Sequence, residues 1–443
     1  MAAALLIAAP ASGQGKTTVT AALARLHARQ GVRVRCFKCG PDFLDPLWLQ
    51  AASGQAVDSL DLWINGEADC ARRLAAAAAQ AELVLVEGVM GLFDGEPSAA
   101  DLALRFGLPV LAVIDAGAMA GTFGAVAHGL RTWRPELPWA GVLANRVGSE
   151  RHAAMLEASL REAGAWQGHL PRRDALHLPE RHLGLAMPRE SADALARLDA
   201  AADALAETPL GQRPLAEWPQ WRTPEVHASP ADDTPARLLQ GRRIAIARDA
   251  AFAFIYPANV ELLQALGATL TFFAPLAGDP LPPCDALWLP GGYPELHAEA
   301  LAACTALRAQ VAAHVHAGRP LWAECGGMMV LADRLVDAQG RAHALWGLLP
   351  GTAVLGQRLA ALGPHEFGSG ADGLPPLRGH SFHWSRFETG LTATLRTRAV
   401  LATAGIGEPI YERGSLRASW FHPWFASSPR RAARLFDAAP LAA

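Results

Sequence analysis

The chain has 443 residues, 51% of them hydrophobic and 18% charged, and its 39 Lys and Arg against 42 Asp and Glu give a formal net charge of −3. That length exceeds a single compact core of roughly 100–200 residues, so two domains are expected. The near-neutral balance supplies no global field that would draw in nucleic acid or an anionic membrane, so an anionic substrate must be met by a local basic pocket. The first residues, from Met1 to Ala11, combine an apolar run with small residues, as a signal peptide does. No basic residue precedes the run and Pro10 interrupts it, so a buried first strand is expected instead. Ala-rich stretches such as Leu74 to Ala81 are far shorter than the ~18 apolar residues of a membrane span.

Apolar runs alternate with Ala/Leu/Arg-rich amphipathic stretches. Leu5-Leu-Ile-Ala, Val32-Arg-Val-Arg-Cys-Phe, Leu83-Val-Leu-Val, Val110-Leu-Ala-Val-Ile and Ala140-Gly-Val-Leu-Ala read as strands, with helices over Thr17 to Arg29 and Glu150 to Ala163. This is the pattern of a doubly wound parallel sheet with helices on both faces. From 196 to 240, Pro209, Pro214, Pro219, Pro224, Pro230 and Pro235 break the pattern, so a linker is expected between domains spanning 1–195 and 241–443. Beyond it, Arg243-Ile-Ala-Ile-Ala, Ala286-Leu-Trp-Leu and Pro320-Leu-Trp-Ala restart the alternation, making the second domain α/β as well. Of six scattered cysteines only Cys36 and Cys39 have a C-x-x-C spacing, with no second pair to complete a metal site. The scatter fits a reducing cytoplasm.

Ser12-Gly13-Gln-Gly15-Lys16-Thr17-Thr18 follows the first strand and opens the first helix. A Gly-rich turn there aims backbone N–H groups and a helix N-terminus at an anion. Lys16 is placed to neutralise ATP phosphates, and Thr17 to offer its hydroxyl to Mg²⁺. Lys38, with Asp42 and Asp45 in a Pro-pinned loop, supplies a further cation and two carboxylates for a γ-phosphate and a metal ion. Glu87 ends an apolar strand, where such sheets bind ligands, and is the preferred Mg²⁺ ligand; Asn145, after another strand, is expected to meet a nucleobase.

The second domain offers a nucleophile. Cys325 stands between the strand Pro320-Leu-Trp-Ala and Gly326-Gly327-Met, a tight turn into a helix in which small neighbours permit strain. His422 is the expected base, with His380 and His383 as rivals. Gly291 and Gly292, together with Gly326, are expected to present backbone N–H groups to an oxyanion, Gly292 and Gly326 being the chosen pair.

In order along the chain, Ala-Ser-Gly-Gln-Gly-Lys-Thr-Thr, Phe-Lys-Cys-Gly-Pro-Asp-Phe-Leu-Asp-Pro, Ser-Leu-Asp61-Leu-Trp, Glu-Gly-Val-Met-Gly-Leu-Phe-Asp-Gly, Asn-Arg-Val-Gly-Ser-Glu-Arg-His152, Pro-Glu-Arg-His182, Gly-Gly-Tyr-Pro-Glu-Leu and Glu-Cys-Gly-Gly make the sequence resemble the cobyrinic or hydrogenobyrinic acid a,c-diamide synthases over nearly its whole length. The resemblance implies a dethiobiotin-synthetase-like ATPase domain followed by a class I-like glutamine amidotransferase domain that lacks the usual third Glu. It implies ATP-dependent amidation of two corrinoid acetates, with ammonia released from L-glutamine, acyl-phosphate intermediates, Mg²⁺ as cofactor, and a tunnel between the sites. Asp45 and Asp94 are read as substrate-facing, and Arg146, Arg151 and Arg181 as candidates for the ring carboxylates.

Two positions depart from the pattern. Trp424 stands two residues after His422, where related amidotransferases carry an orienting Glu, and Ser381 stands where the family usually has Glu. What orients His422 is therefore open. A nickel-tetrapyrrole a,c-diamide synthase is a close alternative, cobyric acid synthase a more distant one, and a nucleotide switch of the ParA/MinD type an alternative from another class. The sequence leaves open whether the ring carries cobalt, which acetate reacts first, and whether the chain forms a homodimer.

Overall fold

The structure is a computed structural model that describes residues 2–181, 184–223, 236–400, 407–439 and 441. The chain divides into two compact units, Met1–Ala228 and Ser229–Ala443. In the first unit, β1 (Ala2–Ala8) is buried along its whole length, as only an interior strand of a sheet covered on both faces can be. Its even residues (Ala4, Leu6, Ala8) enter one apolar layer and its odd residues (Ala3, Leu5, Ile7) another, the two-residue period of a strand.

After β1 come α1 (Lys16–Arg29), β2 (Val34–Cys39), α2 (Asp45–Ser53), β3 (Asp58–Leu60), α3 (Glu67–Gln80), β4 (Leu83–Glu87), α4 (Ala99–Phe106), β5 (Val110–Asp115), α5 (Thr122–Thr132), β6 (Trp139–Val147), α6 (Glu150–Ala158) and β7 (Trp166–Pro171). The strands are parallel in the order β3-β2-β4-β1-β5-β6-β7. From β1 the chain first builds toward β4 and β2 and then toward β5, so a crevice opens at the carboxyl ends of the central strands. A short hairpin, β8 (Glu180–Arg181) and β9 (Gly184–Leu185), comes after β7. The motif residue His182 lies outside the described residues.

The linker expected over 196–240 is, in its first half, part of the folded first unit. Helix α7 (Ala194–Ala206) buries Leu198, Ala201, Ala202 and Leu205 in the same layer as Val19 and Leu23 of α1. A one-turn helix α8 (Pro209–Gln212) leads to β10 (Gln220–Trp221), which pairs antiparallel with Ala2 and Ala3 of β1. The prolines that suggested a linker stand at the joints of these short elements: Pro209 at the first turn of α8, and Pro214 and Pro219 flanking a 3₁₀ turn at Leu215–Glu217. Proline at a first helical turn terminates nothing, because its missing N–H would have no partner there.

The second unit begins with β11 (Arg243–Ala247), α9 (Pro257–Ala265), β12 (Thr269–Phe273), β13 (Ala286–Leu289), α10 (Ala298–Ala303), α11 (Thr305–His316), β14 (Leu321–Glu324) and α12 (Gly326–Leu331). Its remaining strands are β15 (Ala332–Val336), β16 (Ala342–Ala344), β17 (Leu349–Leu355), β18 (Ala361–Phe367), β19 (Leu377–His383), β20 (Ser385–Glu388), β21 (Leu395–Arg396), β22 (Arg398–Ala399), β23 (Pro409–Arg413), β24 (Leu416–Ser419) and β25 (His422–Pro423), before α13 (Pro429–Leu435). The main sheet runs β12-β11-β13-β14-β24-β23-β21, parallel as far as β24. Two four-stranded sheets, β16-β15-β17-β20 and β22-β18-β19-β25, complete the unit. In the second of these, His380 of β19 lies opposite His422 of β25. Among the described residues no helix is long and apolar enough to cross a membrane.

Trp221 is 2% exposed and its indole N–H donates to Phe106 O at 2.7 Å. Trp221→Ala is expected to destabilise the first unit by about 3–5 kcal/mol, the usual cost of truncating a buried aromatic. Chemical unfolding that returns a wild-type midpoint for that unit would show that β10 is not part of its core.

Candidate functional sites

At the crevice of the first unit the turn after β1 carries two left-handed glycines, Gly13 (φ +76°) and Gly15 (φ +97°). At Gly15 the space is also closed, since a Cβ there would lie 2.1 Å from Asn145 Nδ2. Asn145 donates that amide to Gln14 O at 2.9 Å, and Gln14 in turn accepts from Asp115 N at 2.8 Å. Asn145, expected at a base, is thus also a brace for the phosphate loop.

Beneath the loop lies a buried polar network. Thr17 Oγ1 donates to Glu87 Oε1 at 2.7 Å, and Lys38 Nζ reaches the same oxygen at 2.9 Å and Asp45 Oδ2 at 2.6 Å. Lys16 Nζ, at the start of α1, donates to Met90 O at 2.5 Å and Ala11 O at 3.1 Å. Burial, together with the neighbouring Lys38 charge, brings the Lys16 ammonium down to about 8. Burial pushes Glu87 up to about 8, although Lys38 opposes it. Asp42 is pushed up to about 7 by burial and by Asp45, while its Oδ1 caps the start of α2 through Leu44 N and Asp45 N. Asp94 Oδ2 accepts from Gly91 N at 2.8 Å and closes the turn after β4.

Ser12, Gly13, Gly15, Lys16, Thr17, Thr18, Lys38, Asp42, Asp45 and Glu87 line one cavity of about 390 Å³. A second, of about 680 Å³, is lined by Gln14, Thr18, Asn145, Arg146, Arg172 and His177 among others, so the two share Thr18, Arg146 and His177. Arg146 has φ +59° and pairs with Asp115 at 2.6 Å. Arg151 lies exposed on α6, and the side chain of Arg181 is outside the described residues.

Glu87 Oε2 is buried without a hydrogen-bond partner. A hard divalent cation needs such an oxygen, and Mg²⁺ takes only one or two carboxylates beside phosphates and water. The donor set Thr17, Glu87 and Asp42 therefore fits Mg²⁺. No cluster of three or more His, Cys, Asp or Glu able to hold a metal by themselves exists among the described residues. Cys36 and Cys39 are free and buried, with thiols pushed up to about 12 by desolvation.

In the second unit Cys325 joins β14 to α12 with φ +45° and ψ −108°. A non-glycine residue held there stores backbone strain, which the surroundings must over-determine. Cys325 N donates to Ser419 O at 2.7 Å, tying the elbow to β24. Around it the backbones approach too closely for side chains: a Cβ on Gly326 would lie 2.8 Å from Gly292 N, and one on Gly291 would lie 2.5 Å from His422 Cε1. The expected oxyanion glycines and the expected base are thus brought into one place. His380 stacks on His422 at 5.1 Å between ring centroids and contacts Tyr256 OH at 3.2 Å, so it is a neighbour of the base. Burial, followed by the like charge of His422, holds His380 well below the usual imidazole range. Burial also raises the Cys325 thiol, with Glu295 adding to it. A thiol so held needs a base to take its proton.

Two further carboxylates belong to this site. Glu408 accepts from Ser381 Oγ at 2.7 Å and contacts His383 Nε2 at 3.1 Å, so a carboxylate stands beside position 381 although Ser replaces the family's Glu. Glu324, the residue before Cys325, is 2% exposed, and its Oε2 lies 3.5 Å from His422 Nδ1. Its place in the Glu-Cys-Gly-Gly segment marks it only as the residue before the nucleophile, a charge at the end of an otherwise apolar strand. Trp424 is fully buried and packs edge-on against Tyr256, 5.0 Å between ring centroids.

Residues 5–185 match the family profile of the CobQ/CobB/MinD/ParA nucleotide binding domain, and residues 243–429 that of the CobB/CobQ-like glutamine amidotransferase domain. The chain is 56% identical over 437 residues to a hydrogenobyrinate a,c-diamide synthase of Stutzerimonas stutzeri, with 98% of both chains covered. It is 54% identical over 438 residues to the protein of that name in Pseudomonas aeruginosa, covering 98% of this chain and 97% of the other. To a cobyrinate a,c-diamide synthase of Herminiimonas arsenicoxydans it is 46% identical over 435 residues, covering 98% and 96%.

Gly291→Ala would force its Cβ against the His422 ring. A displacement of about 1 Å at a reacting group costs on the order of a hundredfold, so glutamine hydrolysis is expected to fall by that factor. A near-normal rate would mean that His422 does not work from this position.

Proposed function

The chain belongs to the cobyrinate and hydrogenobyrinate a,c-diamide synthase family, and from that membership we propose how its two sites share the work. The enzyme amidates the a- and c-acetate carboxylates of cobyrinate or hydrogenobyrinate in cobalamin biosynthesis, with glutamine as the nitrogen source. A carboxylate does not accept ammonia directly, because oxide would have to leave. In the first unit the ring carboxylate attacks the γ-phosphorus of ATP; ADP leaves, and the acyl phosphate then loses inorganic phosphate to ammonia. Lys16 and Lys38 hold the transferring phosphoryl group, Thr17 and Glu87 with Asp42 hold Mg²⁺, and the backbone from Ser12 to Thr18 cradles the remaining phosphates. The metal supplies neutralisation of phosphate charge. Asp45 at the start of α2 and Asp94 in the turn after β4 are assigned to the ring, and Asn145 to the base.

In the second unit Cys325 attacks the side-chain amide of glutamine while His422 accepts the thiol proton and returns it to the departing ammonia. The N–H groups of Gly292 and Gly326 hold the oxyanion. Water then hydrolyses the glutamyl thioester to glutamate and regenerates the thiol. The observation that carries this reading is that a single chain holds both a phosphate cradle with an unsatisfied buried carboxylate oxygen and a strained cysteine beside close-packed glycines, one of which abuts the His422 ring. A ParA/MinD-type switch has no use for the second of these. A cytoplasmic setting agrees with six free cysteines. Because the two relatives above 50% identity are both named for hydrogenobyrinate, the metal-free ring is proposed as the preferred substrate.

Mass spectrometry of products formed from each ring with ATP, Mg²⁺ and either glutamine or ammonium tests the scheme. Wild type should add two amides from either nitrogen source, Cys325→Ala only from ammonium, and Lys16→Ala from neither. No amidation of either ring would overturn the proposal and favour a nickel tetrapyrrole.

A further inference from the structure

The base of the second site has no acid at the position two residues on, since Trp424 is there and is buried against Tyr256. Histidine needs a partner on one ring nitrogen if the other is to accept a proton in the right tautomer. The groups that face His422 are few. His380 stacks on one face, Phe254 is tilted toward the ring at 6.4 Å between centroids, and Gly291 abuts the Cε1 edge. Glu408, the nearby carboxylate of the other buried network, is engaged by Ser381 and His383. Beyond the effect of burial, Glu295 and Glu408, like Glu324, stand near enough to Cys325 to raise its thiol. The carboxylate that approaches the imidazole is Glu324, at 3.5 Å from Nδ1. Its other oxygen is fixed, because Trp322 Nε1 donates to Oε1 at 2.7 Å from two residues earlier on the same face of β14.

We propose that Glu324 is the positioning residue for His422, exerting from the strand before the nucleophile the orienting effect that related amidotransferases obtain from an acid after the histidine. The inference rests on Cys325 and His422 being the pair that hydrolyses glutamine. A protonated Nδ1 drawn toward the Glu324 carboxylate, 3.5 Å away, would leave Nε2 as the acceptor for the thiol proton. An amide in place of the carboxylate can present its N–H₂ to Nδ1 and reverse the tautomer, a change that is costly in any triad-type site.

The test is the pH dependence of glutamine hydrolysis by the full-length enzyme in wild type, Glu324→Gln, Glu324→Asp and Cys325→Ala. Glu324→Gln is expected to lower kcat about a hundredfold or more, with KM for glutamine within about threefold. The acid limb of its kcat/KM profile should move to lower pH, because a neighbouring negative charge has been removed, and Glu324→Asp should recover part of the rate. Should Glu324→Gln not fold, Trp322→Phe, which frees Glu324 Oε1 while keeping an aromatic ring, should lower kcat in the same direction by a smaller factor. Hydrolysis that survives in Cys325→Ala would overturn the Cys–His reading and this inference with it. An inactive Cys325→Ala beside a Glu324→Gln enzyme whose profile is unmoved would overturn the inference alone, and so would a loss in Glu324→Gln that Asp fails to relieve.

Discussion

The buried ammonium of Lys38 holds the first site together. It is 2% exposed and bridges Glu87 at the end of β4 and Asp45 at the start of α2, while Thr17 of α1 adds a fourth element through Glu87. An ion cluster of this kind is poor evidence of stability in itself, because desolvation offsets most of the Coulomb attraction. Its importance lies in the asymmetry: removing one partner leaves the others charged in a medium that cannot solvate them, typically at a cost of about 3–5 kcal/mol. Two strands and two helices are therefore held in fixed relation beneath a loop of fully flexible composition. The two carboxylates that remain under-compensated, Glu87 and Asp42, are raised mainly by burial, to about 8 and about 7. They form a pocket floor that a cation would relieve.

The second unit meets its constraint through the backbone. Cys325 sits at φ +45° because its N–H is drawn to Ser419 O while Gly326 and Gly327 run against the Gly292 backbone and Leu289 O. A Cβ on Gly327 would lie 2.1 Å from Leu289 O. Close approach and strain are two sides of one feature: the glycines let three chain segments meet, and their meeting holds the cysteine in a conformation it would otherwise leave. The result is a thiol surrounded by protein, with its proton retained until a base removes it.

Much of this was legible in the sequence where function is written as a contiguous segment. Ser12 to Thr18, Lys38 to Asp45, Glu87 to Asp94 and Glu324 to Gly327 each fall at the end of a short apolar run, and a parallel sheet brings such ends to one edge. Less legible were segments whose partners lie far away. The stretch 194–221 carried a helical period in Leu198, Ala201, Ala202 and Leu205, but its prolines outweighed it, since proline marks a joint between short elements as readily as a linker. The strands β17 to β20 contain Gly, Pro and His at interior positions and alternate weakly, so nothing local announces two small antiparallel sheets. Asn145 lines the larger cavity beside the phosphate loop, and its use as a brace depends on the close approach of Gly15, which no sequence pattern states.

The missing acid is the most instructive case. A Glu two residues after a histidine can be sought along the chain, whereas one that acts across a strand pair cannot. β14 and β24 run in parallel with Glu324 opposite Ser419, and His422 comes three residues later. That register places acid and nucleophile at the end of one strand pair, with Cys325 N bonded to the same Ser419, while His422 follows on β25 in the neighbouring sheet. Once the orienting carboxylate comes from β14, position 424 is released from polar duty, and Trp424 is fully buried against Tyr256. Trp424, standing where related amidotransferases carry the orienting acid, is on this geometry a core residue filling space that the site does not need.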